Sequence, residues 1–305
     1  MDLVRKGAIN CDQGAVRATP TISVDGSYCL TCGSDKKIKL WNPHSGLLLK
    51  TYGGHAGEVM DAAGSCDSGF IVSVSQDKSV IYWDVTTGQP VRRLRGHAGA
   101  VQCVKFNEDS SIAVSGSTDN TVMCWDIRTR KLEAIQTMRE AKDCITSLVV
   151  TEHKIIAGSL DGSIRTYDLR AGELTCDTVG IPITHIVQTS DGQCILAACL
   201  DSTIRLVDTD SGELLQEYKG HRTEDYHIEC AVIQGDSTII SGSSESCAVL
   251  WDLLEGNELR RLQMDLGVVH SLAPHPTGSD IMFAKKRIVE VWGKPSDEIE
   301  ELVED

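Results

Sequence analysis

An apolar strand that closes on Trp-Asp, or on a degraded version of that dipeptide, recurs seven times along this chain of 305 residues. The intervals between successive tails are 42, 42, 42, 40, 44 and 41 residues. A period in this range indicates a repeat architecture, in which each repeat is one unit of secondary structure that packs against its neighbours. The tails are Trp41-Asn42, Trp83-Asp84, Trp125-Asp126, Tyr167-Asp168, Val207-Asp208, Trp251-Asp252 and Trp292-Gly293.

The third repeat shows most clearly what one unit contains. After Gly96-His97 the sequence predicts strands at 101–106, 111–115, 121–125 and 131–137, separated by turns rich in Asp, Asn and Ser. Four short antiparallel strands of this kind form one blade of a WD-repeat β-propeller. The predicted fold class is therefore all-β, a seven-bladed WD-repeat β-propeller.

Residues 3–10 precede the first repeat and take the place that a fourth strand has elsewhere, as residues 47–52 do before Gly54-His55. We expect this N-terminal strand to complete the last blade, because ring closure removes two open sheet edges. Residues 1–293 are thus predicted to form a single, monomeric propeller. Residues 294–305 carry six acids against one lysine and are expected to form an acidic, disordered tail.

The twelve cysteines bear on both metal binding and compartment. Many lie inside apolar strand-like runs, where a free cysteine packs as a small hydrophobic residue. Cys29 and Cys32 have C-x-x-C spacing, but no second Cys or His pair accompanies them, so neither a metal nor another cofactor is expected. The absence of a signal segment and of a long apolar run predicts a protein that spans no membrane and resides in the reducing cytosol or nucleus.

The formal net charge is −15, and the tail contributes six negative charges and one positive charge to it. About −10 therefore remains on the propeller, which repels phosphate backbones at long range. Direct binding to nucleic acid is not expected. The predicted partners are proteins.

Two repeats place a histidine, a serine, a turn aspartate and a tryptophan at matching positions, with 28 residues from histidine to tryptophan in both. Ser, His and Asp together could form a hydrolase triad, but the chain has no G-x-S-x-G motif and the set recurs at the repeat period. A structural hydrogen-bonded network, which pins a loop to a strand, is favoured. The two tetrads are His55, Ser73, Asp77 and Trp83, and His97, Ser115, Asp119 and Trp125.

The other repeats depart from this pattern. In the first, Asp12 is expected to stand in for the histidine, and in the sixth Glu245 replaces the turn aspartate. The fourth and fifth repeats lack the set, and the seventh has Lys286 at the turn. These later blades are therefore expected to be looser.

Residues on either side of the inward-pointing residue of each first strand are expected to face the channel mouth, because side chains alternate along a strand. The residue before each turn aspartate joins them, and a lengthened loop at 222–227 is expected to rise above this face. Such a mixed surface is predicted to dock proteins. The partner-binding candidates are Arg17, Glu58, Met60, Gln102, Thr146, Leu160, Thr184, Leu200, Tyr226, His227, Glu229 and His270.

Two other functional classes stay open. The third and fourth tails read W-D-I-R and Y-D-L-R and end on Arg128 and Arg170. Such tails resemble those of substrate receptors of cullin-based ubiquitin ligases, in which the arginine faces the adaptor protein. Alternatively, each arginine forms a surface salt bridge worth under about 1 kcal/mol. A propeller enzyme would need metal ligands or a group of acidic residues that converge in the channel. The positions on either side of the inward-pointing residue of each first strand offer two acids, Glu58 and Glu229, and these lie in distant blades. No catalytic residue is therefore predicted.

Seven longer strings are more specific than the period: Gln13-Gly-Ala-Val-Arg17, Tyr28-Cys-Leu-Thr-Cys-Gly-Ser-Asp-Lys36, Lys39-Leu-Trp-Asn-Pro43, Asp61-Ala-Ala-Gly-Ser65, Arg95-Gly-His-Ala-Gly99, Leu200-Asp-Ser-Thr-Ile-Arg-Leu206 and Gly212-Glu-Leu-Leu-Gln-Glu-Tyr-Lys-Gly-His221. They resemble the mitogen-activated protein kinase organizer family over nearly the whole chain. The resemblance implies a cytoplasmic and nuclear scaffold that binds components of the ERK cascade, in a family also associated with the spliceosome. It implies no catalytic residues.

Overall fold

The computed structural model describes residues 3–22, 26–223, 226–233, 235–265, 267–276 and 280–295. Within these ranges the chain forms seven four-stranded antiparallel sheets and no helix. Each sheet is one blade, and the innermost strands of neighbouring blades contact one another around the full circle. The prediction of an all-β, seven-bladed propeller is confirmed.

Strands are numbered in chain order, and blades 1 to 4 follow the N-terminal strand. Blade 1 contains β2 (Val16–Ile22), β3 (Cys29–Gly33), β4 (Lys37–Asn42) and β5 (Leu47–Gly53). Blade 2 contains β6 (Val59–Gly64), β7 (Phe70–Ser75), β8 (Ser79–Asp84) and β9 (Pro90–Arg95). Blade 3 contains β10 (Val101–Phe106), β11 (Ile112–Ser117), β12 (Val122–Asp126) and β13 (Gln136–Met138). Blade 4 contains β14 (Ile145–Val150), β15 (Lys154–Ser159), β16 (Ser163–Asp168) and β17 (Glu173–Thr178).

Blades 5 to 7 complete the ring. Blade 5 contains β18 (Ile183–Gln188), β19 (Cys194–Cys199), β20 (Thr203–Asp208) and β21 (Leu214–Lys219). Blade 6 contains β22 (Cys230–Ile233), β23 (Thr238–Gly242), β24 (Cys247–Asp252) and β25 (Glu258–Gln263). Blade 7 contains β26 (Ser271–Pro274), β27 (Ile281–Lys285), β28 (Ile288–Gly293) and, as its outer strand, β1 (Val4–Asn10).

The N-terminal strand closes the ring as predicted. It pairs antiparallel with the third strand of blade 7, from Val4 opposite Gly293 to Asn10 opposite Ile288. Arg5 adds an ion pair of 3.0 Å to Asp265, which ties this strand to the loop that enters blade 7. Of the predicted tail, residues 296–305 lie outside the described residues.

A tight turn joins the second and third strands of each blade. In blades 2 and 3 the carboxylates of Asp77 and Asp119 accept hydrogen bonds from backbone amides two residues further on, at 3.0 and 3.1 Å. The residue between them adopts the left-handed conformation, with φ of 67° at Lys78 and 64° at Asn120. In blade 4 that position is Gly162, which meets the requirement at no steric cost. The turn aspartates are therefore part of how blades 2 and 3 fold back on themselves.

The apolar core lies between blades rather than at one centre. Seven clusters of buried side chains each join two adjacent blades. The fully buried Trp83 and Trp125 belong to two of them. No helix in the described part of the chain is long and apolar enough to cross a membrane.

The fourth strand of blade 3 is shorter than predicted. It was expected at 131–137 but covers only Gln136–Met138. The guanidinium of Arg92, in the outer strand of blade 2, donates hydrogen bonds to the carbonyl oxygens of Ile127 and Thr129. These bonds hold the start of the connection to blade 2, and Ala134 packs against the apolar cluster between the two blades. The chain therefore pairs with the third strand of blade 3 only from Gln136 onward.

Candidate functional site

A central channel runs through the ring and forms a cavity of about 990 Å³. Its wall comes from the first strands of the blades, and its mouth from the loops before those strands and the turns between the second and third strands. Because consecutive strands are antiparallel, these loops and turns lie on one face, which we call the upper face. The turns between third and fourth strands lie on the opposite, lower face.

A β-bulge near the start of the first strand turns two consecutive side chains toward the channel. In blade 2 the pairing register shifts between Val59 and Asp61, and both Met60 and Asp61 line the channel. Blade 5 shifts in the same way before His185. Strict alternation assigns Asp61 and His185 to the blade interior, so the sequence analysis missed both. A charged side chain at an inward strand position is the signal that could have found Asp61.

The mouth combines one ion pair with partly exposed polar and apolar side chains. Arg17 Nε lies 2.9 Å from Glu58 Oε2, across the boundary between blades 1 and 2. Arg17 lines the channel, whereas Glu58 supports it from outside the lining. The remaining predicted mouth residues that line the opening and have accessible surface are Met60, Gln102, Leu160, Leu200 and Tyr226, the last 48% exposed.

Two predicted docking residues are buried in the channel wall, which corrects their placement. Thr146 is 9% and Thr184 2% exposed. The hydroxyl of Thr146 donates to the carbonyl of Ile183 at 2.8 Å, and that of Thr184 to the carbonyl of Ala198 at 3.1 Å. Both hydroxyls are used to satisfy backbone carbonyls, so neither presents a contact surface at the mouth.

Three other predicted residues, His227, Glu229 and His270, also line the channel. Glu229 accepts hydrogen bonds from the hydroxyl of Ser271 at 2.8 Å and from the amide of Leu272 at 3.2 Å, which join blades 6 and 7. His270 Nε2 is hydrogen-bonded to the carbonyl oxygen of Val16, which joins blades 7 and 1.

Asp61 and Lys105 form the centre of a charged layer in the channel. Burial raises the pKa of Asp61, while Lys105 and the amide of Val104, which donates at 3.0 Å, oppose the shift. The field of Asp61 raises the pKa of Lys105, and Glu229 adds to it. Lys105 was also missed by the sequence analysis, because it lies deeper along its strand than the flanking positions.

Burial keeps two of the channel histidines, His185 and His227, neutral. Burial lowers the pKa of His185 to about 4, despite the opposing field of Glu229. Burial also lowers the pKa of His227. The two rings meet edge to face, with centroids 6.3 Å apart. Among the described residues, no three His, Cys, Asp or Glu side chains are arranged to hold a metal ion.

The predicted tetrad of blade 2 is joined by hydrogen bonds. Ser73 Oγ lies 2.8 Å from His55 Nε2 and accepts from Trp83 Nε1 at 2.8 Å. On its other side, His55 Nδ1 lies 3.2 Å from Asp77 Oδ2. The tetrad of blade 3, formed by His97, Ser115, Asp119 and Trp125, repeats this geometry.

In blade 1 the histidine is replaced by Gln13, not by Asp12 as predicted. Gln13 is fully buried, and its side chain bonds the Thr31 hydroxyl and, at 3.3 Å, Asp35. Asp12 is exposed and has a φ of 46°. The spacing alone could not show which of two adjacent side chains points inward.

Blades 4 and 5 contain charged substitutes for the network. In blade 4, Arg165 is 4% exposed and lies 2.7 Å from Asp161 and 2.8 Å from the Ser159 hydroxyl. In blade 5, Arg205 lies 2.6 Å from Asp201. An arginine in the third strand thus takes the place of the histidine. The sequence predicted that these two repeats lack the hydrogen-bonded set, because this substitution was not recognised.

Blade 7 uses a buried ion pair, whereas the described residues of blade 6 form no closed network. In blade 7, Lys285 lies 2.5 Å from Glu290, which also accepts from Trp292 Nε1 at 3.0 Å. In blade 6 the tryptophan donates instead to the backbone, and neither ring nitrogen of His221 has a hydrogen-bond partner in the described chain. Glu245 is turned outward, 3.2 Å from Arg222.

Arg128 and Arg170 lie on the lower face in neighbouring blades, and both are exposed. The Arg128 side chain is 70% exposed and is 3.6 Å from Asp126. In both turns the tail aspartate accepts a hydrogen bond from the arginine's own amide, at 2.9 Å.

Comparison with known proteins follows the same repeats. The model of the WD domain, G-beta repeat, matches residues 10–42, 46–84, 88–126 and 212–252. WD repeat domain-containing protein 83 of Rattus norvegicus is 58% identical over 292 residues, which cover 96% of this chain and 92% of that protein. Its namesake in Homo sapiens is 55% identical over 297 residues, with 97% and 94% covered. The WD repeat domain-containing protein 83 homolog of Dictyostelium discoideum is 34% identical over 281 residues, with 83% and 86% covered.

Proposed function

Because the chain belongs to the WD repeat domain-containing protein 83 family, also called the mitogen-activated protein kinase organizer, we propose that it is a non-catalytic scaffold that docks partner proteins on its upper face. The WD-repeat fold itself is typical of protein-interaction platforms. The observation that carries the choice of face is the channel mouth, where Met60, Leu160, Leu200 and Tyr226 expose apolar surface beside the Arg17–Glu58 pair. Aromatic, Met and Arg side chains are enriched at protein interfaces.

The partners and compartments follow from the family resemblance. We propose that components of the ERK cascade, and proteins of the spliceosome, bind in the cytoplasm and the nucleus. The net charge of −15 supports protein partners over a nucleic-acid backbone, because like charges repel.

A hydrolase function is disfavoured by the burial of the tetrads. The hydroxyls of Ser73 and Ser115 belong to fully buried residues, and each already accepts a hydrogen bond from a tryptophan. A nucleophile needs access to substrate, and these buried serines lack it. The tetrads are assigned a structural role.

The docking face is tested by replacing Arg17 with Glu and Met60 with Asp together, followed by pull-down from lysate at physiological salt. At least one partner captured by the parent chain should be lost, while the melting temperature stays nearly unchanged because exposed substitutions cost within about 0.5 kcal/mol. The matched control carries Arg17→Glu and Glu58→Arg together. It exchanges the two charges of the Arg17–Glu58 ion pair, so the ion pair is kept with its polarity reversed. Retention of every partner by the Arg17/Met60 variant would refute the assignment.

A second candidate function rests on the lower face. Arg128 and Arg170 are exposed on equivalent turns of adjacent blades, which suits a contact with the adaptor of a cullin-based ubiquitin ligase. Replacing both with alanine should abolish capture of that adaptor and leave upper-face partners bound. If the Arg17/Met60 variant loses the adaptor instead, the lower-face candidate is wrong.

A further inference from the structure

Blade 6 contains a buried histidine without a hydrogen-bond partner, which the scaffold role does not explain. His221 is 2% exposed, and neither of its ring nitrogens is hydrogen-bonded within the described residues. In blade 2 the equivalent His55 is bonded on both sides, to Ser73 and to Asp77. Buried polar groups are nearly always hydrogen-bonded, so an unpartnered imidazole calls for a physical reason.

The groups that could complete the blade 6 network are present, but they are bonded elsewhere. The hydroxyl of Ser241 donates to a backbone carbonyl at 3.2 Å, and the indole N–H of Trp251 donates to another at 3.0 Å. The rings of Trp251 and His221 meet edge to face, with centroids 5.5 Å apart. Glu245, at the position of the turn aspartate, lies 3.2 Å from Arg222 instead.

The carboxylate of Glu245 lies close to the position from which Asp77 reaches its histidine. Arg261, in the outer strand of blade 6, donates to the carbonyl of the glycine before the histidine and lies 3.6 Å from Glu245. Arg93 makes the same two contacts in blade 2, and lies 3.8 Å from Asp77. The two carboxylates therefore occupy equivalent positions relative to this arginine. Rotation of the Glu245 side chain is thus the simplest route from Arg222 to His221.

Each arrangement of Glu245 has one cost. When Glu245 is turned outward, His221 is left buried and unpaired, which is unfavourable. When Glu245 is turned inward, it must place one more methylene group where blades 2 and 3 accommodate an aspartate, and overpacking is also unfavourable. The outward ion pair is weak, because the side chains of Arg222 and Glu245 are 66% and 40% exposed and water screens them. A change at Arg222 can therefore shift the balance.

Arg222 lies beside two docking candidates of the upper face. The next residue, Thr223, is fully buried, and its hydroxyl donates to the carbonyl of Leu200 at 3.0 Å. The carbonyl of Thr223 accepts from the amide of Tyr226 at 2.9 Å. These bonds fix the backbone next to Arg222 close to Leu200 and Tyr226. A partner that packs on those two side chains can reach the exposed guanidinium.

We propose that Arg222 binds an acidic side chain of a partner protein that docks on the upper face, and that this contact turns Glu245 inward to His221 and closes the blade 6 network. The incoming carboxylate competes with Glu245 for the guanidinium and also repels Glu245, so both effects act in the same direction. This inference rests on the proposed docking function and names the chemistry of one contact that the partner makes. Blade 6 becomes the part of the propeller that responds to docking.

A basic partner group is the main alternative. It would bind Glu245, hold that side chain outward and leave His221 unpaired. Within the described residues Glu245 already has two arginines, Arg222 and Arg261, whereas Arg222 has one carboxylate. An acidic group therefore finds the less saturated partner.

The test uses variants of the full chain and measures the pKa of His221 by long-range ¹H–¹⁵N NMR, with its signals assigned by their loss in His221→Gln. In the parent, burial lowers this pKa to about 4, the field of Asp201 opposes the shift and that of Arg261 adds to it. Arg222→Gln should raise the pKa by about 1 or more, because a carboxylate then bonds the ring. Arg222→Glu should raise it further, since repulsion of Glu245 is added. An unchanged pKa in both variants would overturn the proposal.

Two controls separate a change of partner from a change of charge. Arg222→Gln combined with Glu245→Ala should show no rise, and a rise as large as that of Arg222→Gln alone would mean that the lost charge is the cause and the proposal is wrong. Glu245→Asp should bond His221 even beside Arg222, because an aspartate fits this position in blades 2 and 3. If Glu245→Asp raises the pKa and Arg222→Gln does not, blade 6 can close but Arg222 does not control it.

Acetylated tetraglutamate and tetraglutamine peptides supply the chemistry of the partner. At physiological salt, tetraglutamate should move the His221 signals of the parent toward those of Arg222→Gln, and tetraglutamine should not. The effect should persist with Glu224→Gln and Asp225→Asn together, two acids that follow in sequence and lie outside the described residues, and it should be lost in Arg222→Gln. A parent spectrum that millimolar tetraglutamate leaves unchanged would overturn the acidic partner.

Failure here is distinguishable from failure of the docking function. If the Arg17/Met60 variant loses a partner but Arg222→Gln leaves His221 unchanged, the upper face is still the docking face and the blade 6 inference is wrong. If that variant retains every partner while tetraglutamate shifts the His221 signals, blade 6 responds to acidic groups and the proposed docking function is wrong.

Discussion

Replacing Asp77 with alanine should destabilise the propeller far more than replacing Asp201, although both are turn aspartates. Asp77 accepts from the amides of Ala56 and Ser79, at 2.7 and 3.0 Å, and from the Ser79 hydroxyl at 2.5 Å, and it lies 3.2 Å from His55. The side chain of Asp77 is 10% exposed, so in the variant water can replace few of these hydrogen bonds. Hydrogen bonds to a charged group contribute about 1.5–3 kcal/mol each, and some partners can reorient, so a loss of about 2–4 kcal/mol is expected.

The same reasoning gives a smaller loss in blade 5. Asp201 is 33% exposed, and its partner Arg205 keeps a second carboxylate, Glu217, at 3.3 Å. An exposed ion pair with a replacement partner contributes about 1 kcal/mol or less. Asp161 of blade 4 should instead resemble Asp77, because its removal leaves the guanidinium of Arg165, a residue 4% exposed, without its carboxylate.

Urea denaturation of the three alanine variants checks the order. The midpoint should fall by several tenths of a molar more for Asp77→Ala and Asp161→Ala than for Asp201→Ala. We compare denaturation midpoints rather than free energies of unfolding, because blades can unfold separately. Hydrogen exchange within blades 2, 4 and 5 reports the loss of local stability in each blade. Asp77→Asn, which keeps one acceptor, is the control and should fall between Asp77→Ala and the parent. Equal midpoint shifts for Asp77→Ala and Asp201→Ala would refute the network argument.

Two further predictions follow from closure and from the buried histidines. Deletion of residues 1–10 should cause aggregation and protease cleavage within 281–292, because it exposes the edge of β28 and removes the Arg5 ion pairs. Deletion of residues 296–305 is the control and should leave solubility and melting temperature unchanged. Equal behaviour of the two truncated chains in size-exclusion chromatography and limited proteolysis would contradict ring closure by the N-terminal strand. Burial lowers the folded-state pKa of His221 from 6.5 to about 4, so only the unfolded state takes up this proton as the pH falls through the window between these two values, and this histidine should reduce the stability of the parent by up to about 3 kcal/mol there. His221→Gln should remove that part of the pH dependence and leave the part due to other buried histidines such as His185. Urea titrations at several pH values measure this slope, and parallel curves for the variant and the parent would exclude His221 as the cause.

The repeat features that depend on local sequence were predictable. The period indicated the seven blades, and the turn signals placed the first three strands of blade 3 to within two residues. The N-terminal strand was found because it matches a missing fourth strand. The tetrads of blades 2 and 3 were recognisable because identical residues recur at identical spacing. Each of these features depends on a short segment and on a pattern repeated along the chain.

The remaining features depended on contacts between distant parts of the chain. The bulges that bring Asp61 and His185 into the channel break the alternation on which a sequence argument relies. The burial of Thr146 and Thr184 depends on carbonyl groups of neighbouring strands and blades. Arg165 replaces a histidine that other blades supply from a different loop, so no spacing rule relates the two.

The sequence by itself thus determined how many blades form and where each strand turns, because hydrogen bonding and side-chain alternation within a blade are local. Only the tertiary structure decided which charges meet. Asp61, Lys105 and Glu229 come from blades 2, 3 and 6, and they interact because closing the ring brings the first strands of all seven blades to one axis. The low polarity of that enclosed space, rather than any motif, shifts their pKa values and gives the channel its charge.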